Sequence, residues 1–216
     1  MKVFHDYLKR GAEALGISLS PEQLASFTLF ANELCKWNRK INLTSITLPE
    51  EIAVKHFVDS LSLAKYADLT GTLLDIGSGG GFPGIPLKII APKLTVVSVD
   101  AVEKKINFQR HIARSLGLEG FTALHSRVEN LFPEYKNSFN CVVSRAFADI
   151  PEFVKYALPL LAENGCIIAM KGRGGRNEAE AATAELKKMG AVVSAIYEFE
   201  LPLLNDLRAI IVIRKC

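Results

Sequence analysis

The run L-L-D-I-G-S-G-G-G-F-P-G, from Leu73 to Gly84, carries a short apolar stretch into a glycine cluster and on toward Pro86. Such a string encodes a strand, a tight turn and a helix start. Gly77, Gly79 and Gly81 permit positive φ and omit the Cβ atoms that would hold a ligand away from the backbone. A flat or charged ligand can then rest on bare amides at a helix N-terminus, so a nucleotide-like cofactor is implied. Gly79, Gly81 and Gly84 also satisfy G-x-G-x-x-G, the dinucleotide fingerprint, so the cluster alone does not name the cofactor.

Ligands of open α/β sheets bind beyond the carboxyl ends of the strands, which directs attention to Asp75, Asp100, Arg127, Arg145 and Lys171. Asp100 follows the glycines at roughly the 20-residue spacing of a ribose-binding carboxylate, where it can accept both hydroxyl hydrogens. Asp75 lies among Leu73, Leu74 and Ile76 and is expected to bond loop amides or a cofactor amino group. Val128 and Glu129, in S-R-V-E, are expected to border an adenine. On the opposite side, Arg145 in S-R-A-F, Lys171 with Arg173 and Arg176 in M-K-G-R-G-G-R, and Arg208 form a cationic rim, with Arg173 and Arg176 in a glycine-rich loop. Clustered cations with exposed aromatics suit phosphate backbones and stacked bases.

Absent motifs narrow the chemistry. An amino-methylating enzyme of this kind would carry an Asp/Asn-Pro-Pro-Tyr motif after the fourth strand, where S-R-A-F stands. Covalent cytosine chemistry needs a cysteine at a strand end, and neither Cys141 nor Cys166 is placed there. His5, His56, His111 and His125 are scattered, which argues against a histidine base or a metal site. A ring nitrogen such as guanine N7 presents a lone pair and needs neither base nor covalent nucleophile.

The elements that must position these residues alternate. Strands are expected at 72–77, 94–100, 121–126, 139–146 and 165–171, with helices near 84–91, 102–116, 150–161 and 177–189, which is the pattern of a parallel sheet with helical crossovers. Two further strands, 191–201 and 207–214, are too close together for a parallel crossover and must form a hairpin. Ahead of them, residues 1–66 read as a helical extension and 67–216 as the main domain. Ser20, Pro21 and Gln23 cap one helix, and another starts near Pro49.

The 216 residues, 49% hydrophobic, are ample for one α/β core plus that extension. A net charge of +3 suits an acidic partner without demanding one. Widely spaced cysteines indicate core thiols, and no signal core or apolar span is evident, so a cytosolic protein is expected.

Taken together, W-N-x-x-x-N-L-T at 37–44, H-F-V-D-S at 56–60, the glycine run, S-R-V-E at 126–129, S-R-A-F at 144–147 and M-K-G at 170–172 resemble the bacterial small-subunit rRNA guanine-N7 methyltransferase family, historically called glucose-inhibited division protein B. The resemblance implies a Rossmann-like class I methyltransferase fold: a seven-stranded sheet with a reversed last strand. It also implies S-adenosylmethionine as cofactor and 16S rRNA or the small ribosomal subunit as partner. The cofactor site so expected comprises Asp75, Gly77, Gly79, Gly81, Phe82, Asp100, Val128, Glu129 and Arg145. Arg145, Lys171 and Arg208 are the expected catalytic residues; no metal is expected, and the enzyme is expected to be a monomer. The competing readings are a dinucleotide-dependent oxidoreductase, a small-molecule methyltransferase and a non-catalytic rRNA-binding module.

Overall fold

The computed structural model describes residues 1–145, 147 and 149–216. Its sheet contains seven strands: β1 (Thr72–Ile76), β2 (Thr95–Asp100), β3 (Phe121–His125), β4 (Phe139–Ser144), β5 (Leu161–Lys171), β6 (Ala191–Leu201) and β7 (Asp206–Lys215). They lie in the order β3-β2-β1-β4-β5-β7-β6. The first five run parallel, and β7 enters antiparallel between β5 and β6. β1, β2 and β4 are covered on both faces, which is why their sequences are nearly continuous apolar runs rather than alternating ones. The loop joining β6 to β7 turns through Leu203 and Asn205, both at positive φ. The expected fold, with its reversed last strand, is the one observed.

Crossovers are made by α5 (Gly84–Ile90), α6 (Glu103–Ser115), α7 (Phe132–Tyr135), α8 (Ile150–Ala157) and α9 (Gly175–Lys188). Several boundaries differ from expectation, three of them in the α8 and β4–β5 region. α8 stops at Ala157 rather than at residue 161: Leu158 still bonds back to Val154, but Pro159 has no N–H with which to continue the ladder. β5 starts at Leu161 rather than at residue 165, and its first residue pairs with Phe139 across a register shift. β4 ends at Ser144, and Ala146, the expected last residue of that strand, lies outside the described residues.

Before the sheet come α1 (Lys2–Ala14) and α2 (Pro21–Ile41). The expected capping box is present: the Gln23 amide donates to Ser20 Oγ at 3.2 Å, and the Ser20 amide to Gln23 Oε1 at 2.9 Å. The helix beginning at Pro49 is not uniform. α3 (Pro49–Glu51) opens into a π-helical turn, Ile52–Val58, which narrows through α4 (Asp59–Leu61) into a 3₁₀ turn, Ser62–Lys65. Wide turns of this kind loosen the backbone ladder and recur at functional sites. Here the Lys55 carbonyl accepts from Arg145 Nη1 at 3.0 Å, a tertiary bond across 90 residues of sequence.

A cluster of aromatic rings joins these helices to the glycine loop. Phe57 meets Phe4, Phe27, Phe30 and Phe82 edge-on, with centroids 5.1 to 5.6 Å apart, and Phe82 stacks on Phe30 at 5.0 Å. Each pair adds about 0.5–1.5 kcal/mol beyond its buried area. Phe82, the residue after the glycines, is therefore clamped by the helical extension. No helix among the described residues is long and apolar enough to cross a membrane.

Candidate active site

The first of three adjoining cavities is a cleft of about 360 Å³ at the ends of β1 and β2. Gly77 and Asp100 line it, with Ile76, Val99 and Val128 as apolar walls and Glu129 and Tyr156 at its margin. Asp100 Oδ2 accepts from the Gly79 amide at 2.9 Å and Oδ1 from the Val102 amide at 2.9 Å, while Lys105 Nζ stands 3.6 Å away. The carboxylate thus fixes the glycine loop and the entry to α6 together. An ionised carboxylate has about four acceptor sites, so each oxygen keeps one for a ligand hydroxyl. Gly79 holds φ at 56°, and a Cβ built there would meet no atom within 4 Å, so its bare face opens into space. These features fit a nucleoside cofactor: apolar walls for a base, a carboxylate for a ribose, and unobstructed backbone.

The second cavity, about 150 Å³, lies over Gly77–Phe82 and is also bounded by Thr44, His56, Lys105 and Arg145. The third, about 290 Å³, is cationic: Lys55, Arg145, Lys171 and Arg208 line it, with His56, Asp59 and Met170. Gly77 is shared by the first two and Arg145 by the last two.

The cations of the third cavity are held rather than free. Asp59, only 5% exposed, bridges Arg145 Nη1 at 3.4 Å and Arg208 Nε at 3.0 Å. Arg208 also pairs with Asp206 at 3.7 Å. Lys171 Nζ donates to Glu178 Oε1 at 2.8 Å and to the Phe147 carbonyl at 3.1 Å. Arg145 is further fixed by His56, whose Nδ1 lies 3.2 Å from Nη2, and its guanidinium sits over the Phe82 ring at 5.4 Å.

The His56 ring is buried and stacks on Phe82 at 4.7 Å, and its Nε2 lies 2.8 Å from Thr44 Oγ1. A guanidinium can only donate, so Nδ1 must accept, and Nε2 carries the proton given to Thr44. Burial, reinforced by the charge of Arg145, lowers the His56 pKa to about 3. Thr44 is itself held by Asn38, whose amide group exchanges bonds of 2.9 and 2.8 Å with the Thr44 backbone. Asn38, Thr44, His56, Arg145, Asp59 and Arg208 thus form one hydrogen-bonded chain.

Several expected residues fall elsewhere. Asp75 lines none of these cavities; it is fully buried, Oδ2 accepts from the Gly84 amide at 2.8 Å, and Oδ1 has no partner. Burial raises its pKa to about 7 against the opposing pull of the Gly84 bond and Arg145. Gly81 lines none either: the space of its missing Cβ is taken by Ile85, so it serves close packing of loop on α5. Arg176 belongs to α9, not to a loop, and pairs with Glu198 and Glu180 away from the cationic cavity. Arg173 stays exposed in the loop before α9.

Lys55, His56 and Asp59 join the site without being expected there, although H-F-V-D-S is a visible motif. His56 looks isolated along the sequence because its partners, Thr44 and Arg145, come from other segments. A histidine and an aspartate inside a largely apolar helical stretch are the available signal.

Comparison with known proteins agrees with this architecture. The family model for rRNA small subunit methyltransferase G, GidB, matches residues 23–205. Ribosomal RNA small subunit methyltransferase G of Geobacter metallireducens is 56% identical over 210 residues, covering 97% of this chain and 96% of that protein. The protein of the same name from Halalkalibacterium halodurans is 42% identical over 207 residues, with 94% and 87% covered. Among solved structures, a SAM-dependent methyltransferase from Aquifex aeolicus superposes with a TM-score of 0.60 over 80% of this chain and 96% of that one; at 18% identity this shows the fold alone. With the family model spanning most of the sequence and relatives matching along nearly all of it, the chain belongs to the GidB family, rRNA small subunit methyltransferase G, whose members are S-adenosylmethionine-dependent methyltransferases.

Proposed function

We propose that the chain transfers the methyl group of S-adenosylmethionine to N7 of an unstacked guanine in 16S rRNA, as a monomer in the cytosol. The observation that carries this reading is the position of Arg145, a wall of both the glycine-loop cavity and the cationic cavity. Gly77, Gly79, Phe82, Asp100, Val128 and Glu129 would hold the cofactor, which supplies an electrophilic methyl group. Arg145, steadied by His56 and Asp59, would orient the base at the junction, and Lys171, Arg208 and Lys55 would attract the phosphates. Guanine N7 lies in the deep major groove of an RNA helix, out of reach of side chains, so the base must be unpaired or extruded.

The proton bookkeeping favours N7 over an exocyclic amine or a hydroxyl. Among the described residues lining the cationic cavity, His56 and Asp59 are the titratable acceptors, and both are occupied by guanidinium groups. A nucleophile that already bears a lone pair needs no base, so rate enhancement rests on alignment and electrostatics. Incubation with labelled S-adenosylmethionine and 16S rRNA, followed by mapping of the modified atom, tests the assignment. The single-turnover chemical rate should be nearly flat from about pH 6 to 9, since a required base would impose a tenfold loss per unit below its pKa. An acid limb of unit slope that one mutation removes would replace N7 with a group that must first lose a proton.

A further inference from the structure

A fourth cavity, about 460 Å³, lies between the C-terminal end of α2 and residues 42–52. Its volume is within the range of about 300–1,000 Å³ typical of small-molecule sites, and it exceeds the cationic cavity. We propose that it binds the base of a nucleotide adjoining the methylated one. The proposal rests on the rRNA reading above and assigns that substrate a second point of recognition.

Position comes first. Ile46 is a wall of both this cavity and the cationic one, and Leu34 and Thr44 are walls of both this cavity and the one over the glycine loop. A strand that places one base beside Arg145 has its next base within reach of this opening. The lining is suited to a base: Leu34, Ile46 and Ile52 give an apolar floor, while Asn42, Thr47 and Arg39 stand exposed at the rim. An asparagine amide presents a donor and an acceptor side by side, the complement of a base edge, and apolar or guanidinium faces support stacking. Asn42 ends α2 at φ 50°, and its side chain has no hydrogen bond among the described residues. Charge completes the fit: neither Arg39 nor its neighbour Lys40 has an ion pair among the described residues, which leaves both for the phosphate between the two bases.

The W-N-x-x-x-N-L-T segment thereby acquires a role. Asn38 locks the Thr44 backbone, Asn42 and Thr44 wall the cavity, and Thr44 leads through His56 to Arg145. A base seated here would rest on the same wall that orients the arginine at the target.

The test uses the full chain and an rRNA hairpin carrying the target loop. Removing the flanking base, by an abasic nucleotide on one side of the target or the other, should raise KM for RNA about tenfold in the wild type, in keeping with loss of one stacked base. Thr47→Trp, which fills the mouth, should raise KM similarly and erase the effect of the abasic nucleotide, while KM for S-adenosylmethionine holds. A photoreactive flanking base should crosslink within residues 35–52. Thermal melting confirms that the variant is folded, and should Thr47→Trp not fold, the abasic and crosslinking arms decide alone. Wild-type KM with abasic RNA on both sides, or crosslinks confined to other segments, overturns the proposal while leaving the methylation reading intact. Failure of the wild-type enzyme to methylate any form of the RNA removes the underlying reading, and this proposal with it.

Discussion

The cleft at the ends of β1 and β2 and the cationic cavity are linked through the glycine-loop cavity, which shares Gly77 with the first and Arg145 with the second, yet they are built on opposite plans. The cleft combines glycine backbone with apolar side-chain walls. Glycines and strand ends create it within short stretches of chain, and a single carboxylate, Asp100, ties two of its amides together. The cationic cavity is made of side chains drawn from a π-helical turn, the ends of β4 and β5 and the start of β7, with Asp59 pairing both of its arginines. A backbone site tolerates side-chain replacement and loses mainly ligand. A site assembled around one buried charge loses its structure when that charge goes.

The largest expected effects sharpen that contrast. Asp59→Asn leaves two guanidinium groups, 24% and 21% exposed, without a buried counter-charge. Breaking a fully buried pair costs about 3–5 kcal/mol, so partial exposure here suggests a loss of about 2–3 kcal/mol of stability. kcat/KM for RNA should fall at least tenfold as both arginines lose their fixed orientation. Asp100→Asn should instead weaken S-adenosylmethionine binding by roughly 2 kcal/mol through the loss of charge-assisted bonds, with a smaller change in stability. Urea denaturation and calorimetric titration of both variants check this. Equal stability losses, or cofactor binding more sensitive at Asp59 than at Asp100, would break the comparison.

How much of each region can be read from sequence follows from the same difference. The glycine run, the Asp100 spacing and the apolar strand runs are local patterns, and each appears within a few residues of where the sequence places it. Val128 likewise lies in the cleft as the strand order requires. Long-range pairing is not readable. Nothing near Arg145 in the chain announces His56 or Asp59, and Arg176 sits in a glycine-rich string that becomes the first turn of α9. Gly81 misleads for a related reason: a glycine that admits a ligand and one that admits a neighbouring side chain look alike until Ile85 is in place.

A second prediction concerns two buried titratable groups that bracket the site and oppose each other. His56 has a folded pKa of about 3 against an ordinary 6.5, so its contribution to stability is complete above pH 6.5 and is lost as pH falls toward 3. Asp75 is the reverse. Its folded pKa of about 7 against 3.8 gives a contribution complete below about pH 4 and lost as pH rises to 7. Between about pH 4 and 6.5 the two slopes are opposite, so their sum is shallow. Asp75→Asn should expose the His56 slope, with stability rising by about 1 kcal/mol per pH unit in that window, and His56→Phe should expose the opposite one. Denaturation curves at several pH values measure this; three parallel profiles would show that neither group titrates as its burial requires.

The smallest expected effect distinguishes two arginines that sequence alone treats as equals. Arg176 spends its charge on Glu198 and Glu180 at the surface of α9, whereas Arg173 is exposed in the loop beside Lys171 and Gly172, two residues that line the cationic cavity. Exposed ion pairs are screened by solvent and contribute little, so Arg176→Ala should leave both stability and RNA affinity nearly unchanged. Arg173 is placed to meet a phosphate entering that cavity. Each phosphate that the protein no longer neutralises lowers the magnitude of the log-log salt dependence of RNA binding by roughly 0.7 to 0.9, and Arg173→Ala should show a decrease of that size while Arg176→Ala shows none. Affinity at a single salt concentration would not separate the two, because a change of overall charge and the removal of a phosphate partner both weaken binding there. The slope separates them. The wild-type slope in both variants would mean that the loop before α9 does not touch the RNA backbone, and that the cationic surface is confined to the side chains lining the cavity.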